Sequence, residues 1–192
     1  MINKKFIAKL KDDYQKHEGE RRQIISLSNN VLNDSKRIIF ALHRGEIERA
    51  GEKFKETENT LAELDNKFGH HRLTEEGAYK ACVEEYAEAK MFYGILSEGK
   101  VNEIKEVKLA LDSYIGGLCD LTGELLRYAV NQAAAGNYGE VDKYKDIIND
   151  IMAELVQFDM AGYLRTKYDQ ARGNLRKIEQ VNYEIKIRKI SN

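Results

Sequence analysis

The chain has 192 residues, 31 Lys and Arg against 32 Asp and Glu, a net charge of −1 and no proline. That length suits one domain, residues 1–192, with a buried core, and at near-zero net charge bulk electrostatics do not announce a nucleic-acid binder. Average usage would supply about ten prolines, and helix interiors exclude them, so the absence points to long helices with few turns.

No stretch approaches the ~20 apolar residues of a membrane span, and the N-terminus carries no long apolar signal region. Cys82 and Cys119 are too few for a disulfide scaffold and read as reduced thiols. The expectation is a soluble, cytoplasmic protein. Charge is unevenly spread. Residues 1–44 carry ten basic and five acidic residues, residues 45–136 eleven and eighteen, residues 137–161 two and six, and residues 162–192 eight and three. Basic ends flank an acidic middle, a distribution that builds a basic surface or simply solvated helix faces.

The predicted elements are helical throughout. The first runs from about Lys4 to His43, with Ile24, Leu27, Val31, Ile38 and Leu42 in a stripe at helical spacing. Forty residues span roughly 60 Å, more than the width of a small domain, so such a helix needs neighbours along its length. Gly45 allows a turn into a second helix that ends near Lys67, with Ala50, Phe54, Leu61 and Leu64 inward. Phe68 to Arg72 reads as a loop holding His70 and His71. Thr74, as an N-cap, opens a third helix to about Leu96. Residues 97–100 break it. A fourth helix opens between Asn102 and Asp112 and runs to Ala135, with Gly116, Gly117 and Gly123 inside it. Interior glycines cost roughly 1 kcal/mol each relative to Ala, which predicts a second backbone packed closely there. A fifth helix carries Ile147, Ile148, Ile151, Leu155 and Phe158, and the last spans about Gly162 to Lys189 with Leu175, Ile178, Val181 and Ile185 in a seam. The fold class is therefore all-α, a single-domain bundle of six to seven helices with a long N-terminal helix.

Two acid pairs stand out. Glu85 and Glu88 lie on the third predicted helix, and Asp120 and Glu124 on the fourth. Residues three or four apart share a helix face, so each pair presents two carboxylates amid core residues. Desolvated acids need positive charge, which a hard divalent cation such as magnesium or manganese supplies; spacing alone leaves solvated pairs as the alternative. A ferritin-like di-metal site requires Glu-x-x-His motifs, and none follows these acids. Cations come at related spacings: Lys36 and His43 are seven apart, as are Arg37 and Arg44, and Arg22 lies fourteen before Lys36. Such a ladder tracks phosphates or pairs with the acidic middle. Arg127, three after Glu124, serves either the acids or a substrate. Tyr86 and Tyr114 read as packing residues more than as base-stacking platforms.

Three blocks give this chain a family likeness: Asp34 to Arg44, the run Asp112 to Arg127 with its Asp-Leu-Thr-Gly-Glu-Leu core at 120–125, and the tail Leu175 to Arg188. With Glu85-Tyr86-Ala87-Glu88-Ala89, they resemble the translin family, and within it the translin-associated factor X (TRAX) branch, whose aspartate at the Asp120 position translin lacks. The resemblance implies a hollow homo-oligomer, commonly an octamer, binding single-stranded RNA or DNA. It also implies that Glu85, Glu88, Asp120 and Glu124 form the metal site of a magnesium-dependent endoribonuclease, manganese being a possible substitute. Arg22, Lys36, Arg37, His43, Arg44 and Arg127 are the expected nucleic-acid contacts. TRAX acts beside translin, whereas this compact chain resembles short homologues that assemble with themselves, a translin-type partner remaining an alternative. A translin-like binder without nuclease activity shares the same fold, and Asp120 favours the enzyme.

Overall fold

The computed structural model describes residues 1–190, with side chains through Arg188. Among these residues there are seven α-helices and no strand: α1 Lys4–His43, α2 Ile47–Phe68, α3 His70–Thr74, α4 Gly77–Glu98, α5 Leu111–Ala134, α6 Tyr138–Leu155 and α7 Gly162–Ile190. The all-α expectation holds, as does the 40-residue first helix. Asn3 starts α1, its side-chain oxygen accepting from the Phe6 N–H at 3.2 Å. That oxygen satisfies one of the donors left open at a helix start.

The two halves of α1 live in different surroundings. Ile24, Ser28, Val31, Ser35, Ile38 and Leu42 are buried at intervals of three and four, so one face packs on α2 and α4. Everything from Met1 to His17 is exposed, including Phe6, Ile7, Leu10 and Tyr14. The predicted need for neighbours along the whole helix is thus met only over its second half.

Helix α4 is the most enclosed. It packs on α1 and α5, while α5 also meets α6 and α7. Buried Tyr79, Val83, Tyr86, Met91, Phe92 and Ile95 surround this axis. The glycines of α5 allow the close approach that the sequence foretold. A Cβ on Gly117 would lie 2.9 Å from the Glu84 carbonyl oxygen and 3.1 Å from the Ala87 Cβ, so only glycine lets α4 and α5 meet here.

Several boundaries differ from expectation. The 68–72 segment is not all loop, since His70 and His71 open the short helix α3. Helix α4 starts after Glu76 rather than at Thr74, with no side-chain cap hydrogen bond. Ser97 and Glu98 remain helical, and the break falls at Gly99, whose φ of +75° closes the helix with its N–H on the Ile95 carbonyl. That left-handed conformation suits glycine. Phe158 lies beyond α6 and is exposed. In α7, Ile178 is buried while Leu175, Val181 and Ile185 pack on the core more loosely. No helix among the described residues is long and apolar enough to cross a membrane.

Candidate functional site

Four helices build one polar site inside this apolar frame. Glu84, Glu85 and Glu88 come from α4, Asp120 and Glu124 from α5, His43 from the end of α1, and Tyr163 and Lys167 from the first two turns of α7. Each helix periodicity places its contribution. Residues 85 and 88 are one turn apart, as are 120 and 124, and the α4–α5 contact turns both pairs toward each other.

The charges interlock. His43 Nε2 hydrogen-bonds Glu124 Oε2, and its ring packs on Phe92 and Tyr128 at centroid separations of 5.1 and 6.0 Å. Lys167 Nζ donates to Asp120 Oδ2 and lies 2.9 Å from Glu84 Oε1. Tyr163 OH donates to the same Glu84 oxygen at 2.5 Å. Arg127 Nη1 stands 3.6 Å from Glu124 Oε2 and stacks over Phe40.

Burial and crowding raise the acids. Glu88, 7% exposed, is pushed up to about 9 by burial and then by Asp120, Glu85 and Glu124, with Lys167 opposing weakly. Burial also lifts Glu85, which Lys36 counteracts, and lifts Asp120 against the pull of Lys167. Burial alone would lower the Lys167 ammonium, but its hydrogen bonds to Asp120 and Glu84 raise it. Carboxylates that raise one another are short of positive charge.

No group of three or more His, Cys, Asp or Glu side chains among the described residues stands arranged to enclose an ion. The donor chemistry nevertheless fits one. The quartet offers only oxygen, its acids raise one another's pKa, and Glu88 has no salt bridge among the described residues. Magnesium takes one or two carboxylates and completes its shell with water, so it needs no closed cage.

The expected quartet therefore converges, but its company differs from the sequence reading. His43 sits against Glu124 instead of on an exposed ladder. The ladder itself divides: Lys36 faces the acids closely enough to act on Glu85, whereas Arg37 and Arg44 line a cleft of about 630 Å³ between α1 and α2. Arg37 is also paired with Asp34 at 3.0 Å. Arg22 and Lys36 are exposed. Tyr86 is fully buried and donates to Glu58 at 2.9 Å, and Tyr114 donates to the Asn102 carbonyl at 3.2 Å, so both are packing residues. Sequence reasoning missed Glu84, Tyr163 and Lys167. The signals were faint: two adjacent glutamates opposite a Gly-Gly pair, and a Tyr and Lys four apart at the start of the last helix.

Similarity to known proteins covers the same region. The translin family model matches residues 19–189. The chain belongs to the translin family. An uncharacterized protein of Methanocaldococcus jannaschii is 29% identical over 166 residues, which is 83% of this chain and 73% of that one. The translin-associated protein X homolog of Schizosaccharomyces pombe is 27% identical over 141 residues, 65% of this chain and 60% of its own length. The structure of AfC3PO in complex with duplex RNA superposes with a TM-score of 0.82 over 97% of this chain and 99% of that one, at 21% identity; at that identity the likeness is one of fold. The translin match thus spans every residue of the acid quartet and all of the cations set around it.

Proposed function

We propose that this translin-family chain is a magnesium-dependent endoribonuclease that binds and cleaves single-stranded RNA inside a hollow homo-oligomer. The observation that carries this reading is the quartet Glu85, Glu88, Asp120 and Glu124, gathered on two glycine-packed helices where burial and neighbouring acids raise Glu85, Glu88 and Asp120. Asp120 adds weight, because it stands where the TRAX-like pattern places its distinguishing aspartate.

A divalent cation held here by Asp120 and Glu124 would supply an activated water near neutral pH and offset charge growing on a phosphodiester. The chain's own residues do the rest. Asp120 and Glu124 would be the principal ligands or water orienters, with His43 fixing one oxygen of Glu124. Glu88 keeps its proton near neutral pH while no added cation faces it, and Glu85 completes the acid face. Arg22 and Lys36, exposed on one side of α1, grip phosphates with little regard to base identity. Arg127, half exposed beside Glu124, reaches both acid and substrate.

A second reading, a translin-like binder of single-stranded RNA or DNA without hydrolysis, keeps the fold and the cations. Assembly as an octamer, or with a translin-type partner, belongs to the same proposal. AfC3PO has been solved with duplex RNA, so duplex belongs in the test. Purified protein is incubated with end-labelled single-stranded and duplex RNA, in magnesium and in EDTA, beside Glu124→Gln. Magnesium-dependent cleavage absent from the variant, leaving 5′-phosphate ends, supports the nuclease. Binding without cleavage selects the second reading, and a cyclic phosphate end refutes the water-based chemistry.

A further inference from the structure

We infer that Lys167 is a tethered cation of the acid site: it holds Asp120 when no divalent ion is present and yields Asp120 to one, while Glu84 and Tyr163 keep it beside the site. This rests on the reading of the quartet as a metal site.

Lys167 reaches the quartet from α7, a helix that contributes none of the four acids. Its side chain is 17% exposed and its ammonium is shared between Asp120 and Glu84. It also lies 5.4 Å from the centre of the Tyr163 ring, whose hydroxyl donates to the Glu84 oxygen that the ammonium meets. Glu84 is therefore a fifth acid with a purpose of its own. It is 9% exposed and its carboxylate is wedged against Gly116 of α5, where a Cβ would collide with it, while its backbone carbonyl abuts Gly117. A carboxylate so immobilised is a fixed post and not a swinging ligand.

The charges explain why such a post is needed. Asp120, Glu85 and Glu88 each raise one another or are raised by their neighbours, and Lys167 is a common opposing charge for all three. An ammonium on Asp120 and a divalent ion on the same carboxylate repel strongly at a few ångströms in a partly buried site. Lys167 cannot simply leave, because Glu84 would then remain buried without a cation. Its flexible four-carbon stem lets the ammonium shift from sharing two carboxylates to resting on Glu84 and the Tyr163 ring, with no backbone movement. The empty site stays partly neutralised, and the loaded site keeps a second positive charge at its edge.

The test titrates the full chain with Mn²⁺ at low salt, reading free Mn²⁺ by electron paramagnetic resonance. Wild type is compared with Lys167→Met, Lys167→Gln and Lys167→Arg, each confirmed folded by circular dichroism. The glutamine variant is neutral yet keeps a donor for Glu84 and Asp120, so it answers the question if the methionine variant does not fold. Removing the competing charge is expected to tighten Mn²⁺ binding about tenfold in the Met and Gln variants, and the Arg variant should stay within about threefold of wild type. Equal or weaker binding in the neutral variants overturns the inference and makes Lys167 a plain structural partner of Asp120, with the metal-site reading intact. Absence of Mn²⁺ binding in wild type and in every variant overturns both.

Discussion

Two glutamates, one at the start of α4 and one inside it, show what separates a matched acid from an unmatched one. Glu76 precedes α4 and is 8% exposed; Glu88, near its middle, is 7% exposed. Burial pulls both carboxyls upward. At Glu76, Arg72 Nη1 at 2.8 Å and Arg21 Nε at 3.4 Å outweigh it and hold the carboxyl below its ordinary value. The helix N-terminus adds favourable potential there. At Glu88 burial is joined by three more acids, and the carboxyl rises to about 9. Similar exposure with opposite shifts means that the start of α4 is electrostatically closed, its acid matched by two guanidiniums, while Glu88 is short of positive charge.

The largest expected effect comes from the acid site. Asp120→Asn keeps the shape and the Lys167 contact but removes the charge. RNA cleavage should fall about 10³-fold, the scale of losing a positioned acid or base, with RNA binding and oligomer size unchanged by gel shift and light scattering. Cleavage at the wild-type rate would dismiss the site assignment.

The closed end comes next. Arg72→Met leaves Glu76 with Arg21 alone, and losing a hydrogen bond to a charged group costs about 1.5–3 kcal/mol, readable as a lowered urea midpoint at pH 7. Because the folded carboxyl of Glu76 lies below its unfolded value of 4.5, its stabilisation is present above that pH and is lost as pH falls through the folded value. The variant should therefore lose less on acidification than wild type does. Cleavage by the folded fraction should not change.

Glu88→Gln should act in the opposite sense. Its folded pKa of about 9 exceeds the unfolded 4.5, so between those values the folded state holds a proton that the unfolded chain has released, and stability falls as pH rises. Glutamine removes that dependence. In EDTA the variant should be more stable at pH 8, by at most about 5 kcal/mol for the roughly 3.5 pH units above the unfolded value, with the gap shrinking toward pH 5. Magnesium should narrow the gap by stabilising the wild type. A destabilised variant at pH 8 would show that Glu88 is matched after all.

The fold was legible because its signals are local and repeated. Absence of proline, the stripe Ile24 to Leu42 and the glycine pair at 116 and 117 each constrain one helix or one helix contact. The acid quartet was legible for the same reason, as each pair lies within one turn. Lys167 was not. It stands 47 residues from the Asp120 it bonds, and no periodicity links α7 to α5. His43 was read with the wrong partners because a seven-residue spacing gives the face of α1 but not what that face meets. Short α3 was hidden by Gly69 and the two histidines, and the misplaced start of α4 followed from Thr74, a good cap residue that ends α3.

The smallest effect sharpens the contrast at two adjacent residues. Arg21 is committed to the closed end, with Glu76 at 3.4 Å and Glu18 at 3.7 Å. Arg22, one residue on, is exposed and forms no ion pair among the described residues; it lies two heptads before Lys36, which faces the acids. A cation already engaged by buried acids has little to offer a phosphate, whereas a solvated one releases counterions when RNA arrives. Arg22→Gln and Lys36→Gln should each weaken single-stranded RNA binding by about threefold and lower the slope of log affinity against log salt by about 0.7, the value for one lost phosphate contact. Arg21→Gln should leave that slope unchanged and lower stability slightly. If the Arg21 variant moved the slope as far as the Arg22 variant, the closed end of α4 would be part of the RNA path, and charge matching would no longer distinguish structural from functional cations on α1.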